Sequence, residues 1–272
     1  MTLNLRYADY DSAAPNSWRR RRPAMEALLR QESPDLIGTQ EGLYGQLRDI
    51  HEDIQQSGKK YEWIGMGREG GSRGEFMALF YDTGRLIPLE YEHFWISETP
   101  HVVGGKWPDS GSPRMVTWVR FQKVAGGEEF YALNTHLDNV SGEARLAGAR
   151  LLVQQMRNAE EPLPPFDTGL PCVLTGDFNV PAEMERGGVY ETLLMNGKLV
   201  DSWTAARPDR RGEEFRTWHN YQEPTSPGAR IDWILTSPSV RTTSAKINTF
   251  ALDGQYPSDH FPVQATLEFG DA

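Results

Sequence analysis

What most constrains this chain is where its polar chemistry falls. Short apolar runs recur from end to end, and several of them stop on a carboxylate, an imidazole or a carboxamide. Leu36-Ile37-Gly38-Thr39-Gln40 delivers Glu41. Phe130-Tyr131-Ala132-Leu133 delivers Asn134 and His136. Cys172-Val173-Leu174-Thr175-Gly176 delivers Asp177 and, two residues on, Asn179. Arg230-Ile231-Asp232-Trp233-Ile234-Leu235 carries an Asp inside an apolar run, and Ser258-Asp259-His260 leads into Phe261-Pro262-Val263. Residues at strand ends on one rim of a sheet converge in space, and such rims are where sites are built.

Nine strands are expected, at Thr2–Tyr7, Leu36–Thr39, Trp63–Met66, Phe76–Tyr81, Arg114–Gln122, Phe130–Asn134, Cys172–Thr175, Arg230–Leu235 and Phe261–Phe269. Each is short, β-branched or aromatic, and bounded by turn residues. Apolar spacing of three and four predicts helices at Trp18–Gln31, Tyr44–Gln55, Ser141–Asn158 and Val189–Met195. The alternation is only partly β-α-β, which implies a mixed sheet core covered by helices. The loops at 67–75, 100–113 and 201–228 are rich in Gly, Pro and Ser. None reads as a boundary, so a single domain over 1–272 is expected.

Charge and composition narrow the function classes. Lys and Arg number 28 against 38 Asp and Glu, a formal net charge of -10. A broad basic footprint for nucleic acid is absent, which argues against tight, non-specific binding to long duplexes. A local metal ion and a few arginines can still hold one scissile phosphate. Mean hydropathy is -0.58, and no apolar run approaches the roughly 20 residues of a membrane span, so stable membrane insertion is not expected. One cysteine excludes an internal disulfide. A soluble monomer is expected, with the compartment open between cytoplasm and export.

Together the rim residues comprise four carboxylates (Glu41, Asp177, Asp232, Asp259), two histidines (His136, His260) and two asparagines (Asn4, Asn179). This oxygen-rich, thiolate-free set suits a hard cation such as Mg²⁺ or Mn²⁺. It also supplies what phosphoryl hydrolysis needs: a base for water, an acid for the leaving oxygen, and a cation on the phosphate. Singly, each has a plainer reading. Glu41 could enter a helix, Asp232 pair with Arg230, His136 sit satisfied in the core, and Gly176-Asp177-Phe178-Asn179 form a turn. Their joint occurrence in this order sets those readings aside.

In that order the segments resemble the endonuclease/exonuclease/phosphatase superfamily, which has a DNase I-like fold. Thr2-Leu3-Asn4-Leu5-Arg6, Gly38-Thr39-Gln40-Glu41, Asn134-Thr135-His136-Leu137, Gly176-Asp177-Phe178-Asn179, Arg230-Ile231-Asp232-Trp233 and Ser258-Asp259-His260 carry the resemblance across nearly the whole chain. It implies a four-layer α/β sandwich, two mixed β-sheets packed face to face with helices outside. It implies a metal held chiefly by Glu41, with Asn4 beside it and Asp259 completing the shell. Asp177 with Asn179 would orient and deprotonate water. His260, held by Asp232, would contact the scissile phosphate, and His136 would act as acid or phosphate contact. Whether Asp177 or His260 is the base stays open.

Departures narrow the branch. The abasic-site endonucleases have an Asp where this chain has Arg6. The inositol polyphosphate phosphatases follow Gly-Asp-x-Asn with Tyr-Arg, where Val180-Pro181 stands here. For substrate binding the candidates are Arg114, which opens a strand beside a Gly/Ser/Pro loop, and Trp218 and His219 in an aromatic loop. Arg19–Arg22 puts four cations at a helix start, where the macrodipole disfavours them; a solvated face is the plainer reading. The expected activity is a metal-dependent phosphodiesterase acting on a nucleic acid, nucleotide or other phosphodiester. A sphingomyelinase-like lipid phosphodiesterase or a small-molecule or sugar phosphatase is the alternative.

Overall fold

The apolar runs assemble into two sheets. In this computed structural model the described residues are 1–8, 15–55, 58–157, 169–183 and 186–270. Among them lie β1 (Thr2–Asn4), α1 (Trp18–Glu32), β2 (Leu36–Gly42), α2 (Tyr44–Ile54), β3 (Tyr61–Ile64), β4 (Phe76–Asp82), β5 (Leu86–Trp95), β6 (Met115–Lys123), β7 (Glu129–His136), α3 (Gly142–Arg157), β8 (Cys172–Asp177), α4 (Val189–Glu191), β9 (Val200–Asp201), α5 (Ser202–Ala205), β10 (Asp232–Thr236), β11 (Val240–Ile247) and β12 (Val263–Phe269). One six-stranded sheet runs β11-β12-β1-β2-β4-β3 and the other β5-β6-β7-β8-β10-β9. Each is mixed, through the parallel pairs β1/β2 and β7/β8.

Three apolar layers hold four structural layers together. Leu3, Met25, Leu28, Leu47, Ile50 and Phe80 pack α1 and α2 onto the first sheet. Trp118, Leu133, Ala149, Leu152, Phe178 and Trp233 pack α3 onto the second. Leu79, Phe121, Phe130, Val173, Ile234 and Val263 fill the space between the sheets. The fold is the expected four-layer sandwich.

Several boundaries differ, each for a local reason. β1 stops at Asn4, because Arg6 takes a left-handed φ of 52°. β5 and β11 were not anticipated. β5 is an edge strand with a largely exposed middle that contains Pro88, Glu90 and Glu92. β11 is Thr/Ser/Lys-rich, with no apolar run to signal it. The expected helix at 189–195 is one short α turn followed by a π turn over Thr192–Asn196. The long 201–228 loop is partly ordered, containing α5 and a 3₁₀ turn at Pro208–Arg210. Asn158, the last residue of the expected third helix, lies outside the described residues.

A polar seam crosses the otherwise apolar inter-sheet space. Gln40 Nε2 donates to Asn134 Oδ1 at 2.7 Å, and Asn134 Nδ2 donates to the Thr39 carbonyl at 2.7 Å and the Ala78 carbonyl at 3.0 Å. Both side chains are buried. Gly38 lets the sheets approach here, since a Cβ at this position would sit 2.1 Å from Thr175 Oγ1 and 2.8 Å from Asn134 Oδ1. Overpacking of this kind costs about 1–3 kcal/mol. Gly38→Ala is therefore expected to lower folding stability by ~2 kcal/mol in urea titration. Gly45→Ala in α2, with nothing within 4 Å of its Cβ, should be neutral or stabilising. Equal midpoints for wild type and Gly38→Ala would refute the packing role.

Candidate active site

Strand register builds the site. In the second sheet His136 lies opposite Asp177 across the parallel β7/β8 pair, and Asp232 lies opposite Asp177 across the antiparallel β8/β10 pair. One row over three adjacent strands thus carries an imidazole and two carboxylates. From the first sheet, β2 departs from regular register between Thr39 and Gly42, and Glu41 takes a φ of 61°. Such a bulge re-aims a side chain at a sheet rim. Asn4, at the end of β1, spans the two sheets. Its Nδ2 donates to Glu41 Oε1 at 3.0 Å and to Asp177 Oδ2 at 2.9 Å, while its Oδ1 accepts from Arg6 N at 2.9 Å.

Asp177 is the centre of the cluster. Burial and the neighbouring Asp232 charge push its pKa up to about 7, against the pull of His260, Asn4 and the Asn179 N–H. Asn179, at a left-handed φ of 52°, donates its backbone N–H to Asp177 Oδ1 at 2.9 Å. Its side-chain Nδ2 donates to His136 Nε2 and to the Leu137 carbonyl, both at 2.9 Å. His136 Nε2 is thus an acceptor. Burial, with Arg114 and His260 nearby, holds this ring well below the usual imidazole value, so it is neutral.

His260 is the opposite case. Burial would lower it, but Asp232 and Asp177 outweigh that and raise it well above the usual value. His260 Nδ1 donates to Asp232 Oδ2 at 2.9 Å, and Nε2 lies 3.8 Å from Asp177 Oδ2. A carboxylate-held imidazolium therefore faces the central Asp. Asp259 is buried at the same mouth, 3.8 Å from Arg6 Nε. It lies outside the two tight groups, Glu41-His136-Asp177 and Asp177-Asp232-His260, whose ligand atoms fall within 4.8 Å of one another.

Two expected substrate contacts are placed differently. Arg114 is buried and part of its fork is engaged: Nε lies 3.3 Å from Asp138 Oδ2 and Nη2 donates to Asn139 Oδ1 at 2.8 Å, while Nη1 is buried with no hydrogen-bond partner among the described residues. Asp138 also accepts from Ser110 Oγ, Gly111 N, Val140 N and Ser141 N. Arg114 braces the loop after His136 through Nε and Nη2. His219 is buried as well, its ring stacked on Phe261 at 3.7 Å and 1°. Its ring nitrogens face the Gln222 and Ser258 carbonyls at 3.0 and 3.1 Å. Burial lowers it to about 4, so the neutral ring donates to one of them. His219 supports the Ser258-Asp259-His260 segment from beneath. Trp218 differs: its backbone bridges His260 and its side chain is 45% exposed.

One contributor escaped the sequence reading. Glu75, just before β4, is buried, pairs with Arg68 at 2.8 Å, and is raised by burial with Glu41 among the charges acting on it. It sat in an expected loop, and the only signal was its place directly ahead of an apolar strand. A cavity of about 1140 Å³ opens between the sheets around Phe130, Val173, Ile234 and Phe269, and none of the site residues lines it.

Residues 1–260 match the Endonuclease/Exonuclease/phosphatase family model. A mannosyl-6-phosphatase of Bacteroides thetaiotaomicron is 33% identical, with 98% of each chain covered and a TM-score of 0.86. An endonuclease/exonuclease/phosphatase of Bacteroides vulgatus is 30% identical over 99% of this chain and 97% of that one, with a TM-score of 0.87. Protein angel of Drosophila melanogaster is 23% identical over 196 residues, 71% of this chain and 51% of that protein. The chain spans about half the length of the curated relatives it matches. No helix among the described residues is long and apolar enough to cross a membrane. With a family match over nearly its whole length and this arrangement of Glu41, Asp177, Asp232 and His260, the chain belongs to the endonuclease/exonuclease/phosphatase family of phosphoester hydrolases.

Proposed function

We propose that the chain is a divalent-metal-dependent hydrolase of a phosphorylated sugar, acting by in-line attack of water on phosphorus. The observation that carries this reading is the pairing of a buried, proton-accepting Asp177 with an Asp232-held His260 cation 3.8 Å away. The sugar phosphate rests on three supports: similarity to a mannosyl-6-phosphatase, the exposed Trp218, whose backbone bridges that of His260, and a net charge of -10 that disfavours long nucleic acids. The sequence alone favours a phosphodiester, and that remains the second outcome of the substrate test.

A cation fits the donor set. The cluster is oxygen-rich and thiolate-free, two like charges meet at Asp177 and Asp232, and Asp232 Oδ1 is buried with no hydrogen-bond partner among the described residues. Glu41 and Asp177, with Asn4 and Asp259 alongside, would hold Mg²⁺ or Mn²⁺. Bound there, the ion supplies Lewis-acid polarisation of the phosphate.

The side chains do the rest. Asp177, buried and facing His260, accepts a proton from the attacking water. Asn179 and Asn4 fix the orientation of its two oxygens. His260, cationic at neutral pH, neutralises charge developing on the phosphate oxygens, and Asp232 fixes the orientation of its ring through Nδ1–H. His136 is neutral, with Nε2 occupied by Asn179, which leaves Nδ1 as its N–H. Trp218 offers a flat apolar face to a sugar ring.

Three outcomes are expected. Asp177→Asn and His260→Ala should each lower kcat by at least ~100-fold while leaving the circular dichroism spectrum unchanged; more than about a tenth of the activity in either would contradict the assignment. In a panel of mannose 6-phosphate, glycerol 3-phosphate and bis-p-nitrophenyl phosphate with Mg²⁺ or Mn²⁺, the sugar monoester should be the best substrate. Trp218→Ala should raise its KM about tenfold, equivalent to ~1.4 kcal/mol of stacking, and leave the KM for glycerol 3-phosphate within about twofold. Preference for the diester would shift the reading to a phosphodiesterase.

The third concerns pH in chelator. Asp177 holds its proton to about pH 7 when folded, against an ordinary 3.8. Between those values the folded chain binds the extra proton, so this group's stability contribution is lost as pH rises through 7. The stability of Asp177→Asn relative to wild type should therefore climb from about pH 4 to about pH 7 and then level off. A flat or falling difference in urea titrations would refute the buried-acid account.

A further inference from the structure

We infer that Arg21 is a positioning residue that clamps the two chain segments carrying Asn4 and Asp259-His260 into one site; the catalytic part of this inference rests on the function proposed above. Of the four cations Arg19–Arg22 at the start of α1, Arg19 and Arg20 are exposed, and Arg22 pairs with Asp49 at 2.7 Å and Asp53 at 2.8 Å. Arg21 alone turns fully inward, at 0% exposure.

Its guanidinium donates to four backbone carbonyls. Nε binds Asn16 O at 2.7 Å, Nη2 binds Arg6 O at 2.8 Å, and Nη1 binds both Leu5 O and Pro257 O at 2.8 Å. Leu5 and Arg6 follow Asn4 directly, and Pro257 precedes Ser258-Asp259-His260. A planar fork of five N–H donors can reach these diverging carbonyls at once, which a single ammonium cannot match. Gln46 Nε2 donates to the same Leu5 and Arg6 carbonyls at 3.3 and 3.1 Å. Ser258 Oγ completes the loop by donating to Asn4 O at 2.6 Å.

The clamp grips where the backbone is strained. Arg6 sits at a φ of 52°, a conformation that persists for such a residue only when its surroundings over-determine it. If Leu5 and Arg6 relax, Asn4 moves with them, and Asn4 is the group that spans Glu41 and Asp177. A displacement of about 1 Å in such a constellation is worth ~100-fold in rate.

The test is Arg21→Lys, read by amide hydrogen exchange on the metal-free full chain and by turnover of the preferred substrate. The expected result is exchange at least ~10-fold faster at residues 2–7 and 256–260 with α3 unchanged, and kcat lower by ~100-fold with KM within about threefold. Exchange that rises equally throughout the chain, or a kcat within about threefold of wild type, would overturn the inference. Should Arg21→Lys not fold, Ser258→Ala tests the same linkage. It should speed exchange in those two segments and lower kcat by ~10-fold, and unchanged exchange in both segments would overturn the inference. If the wild type hydrolyses no phosphoester, the functional reading fails, while the exchange pattern still decides the clamp.

Discussion

A carboxylate buried beside another carboxylate organises this molecule's working end. Burying an ionised group away from water costs several kcal/mol unless it is paired and hydrogen-bonded. Asp177 meets that demand through Asn4 Nδ2, the Asn179 N–H and the nearby His260, while register forces Asp232 into the next position across the sheet. Each neighbour is then fixed by what Asp177 requires. His260 stays cationic because two acids face it, and His136 stays neutral because burial and the neighbouring Arg114 and His260 cations outweigh its nearby acids.

The sheets make that concentration of charge possible. The parallel pairs β1/β2 and β7/β8 send chain ends to the same rim. The Gln40-Asn134 seam, with Gly38 keeping the layers close, sets the height of one sheet against the other. Asn4 can therefore reach from the first sheet to a carboxylate on the second. Polar groups in the seam lock relative position in a way that an apolar core alone would not.

Much of this was legible in the sequence, for a physical reason. Glu41, His136, Asp177 and Asn179 follow an apolar strand, Asp232 interrupts one and His260 leads into one, so their convergence could be read from pattern. Strand and helix patterns gave a mixed sheet core covered by helices, and the family resemblance supplied the four layers. Less legible was anything whose role depends on tertiary burial. Arg114 and His219 look like ligand contacts in a one-dimensional list, yet Asp138 and Phe261 claim them. Arg21 looks like one of four solvated cations, yet it is the one turned into the core. β5 was hard to read because its middle is exposed and holds Pro88, Glu90 and Glu92, and β11 because it is Thr/Ser/Lys-rich with no apolar run. Glu75 had only its place directly ahead of β4 to mark it, which does not by itself distinguish a loop carboxylate that ends buried from one that does not.

The central claim is that Glu41 and Asp177 form one corner that takes a hard divalent cation. Titration of the metal-free chain with Mn²⁺, followed by electron paramagnetic resonance of the free ion, tests it most directly. The account requires saturable uptake that is weakened at least ~10-fold by Glu41→Gln in a chain that remains folded. Uptake of the same strength in wild type and Glu41→Gln would place the cation elsewhere and contradict it.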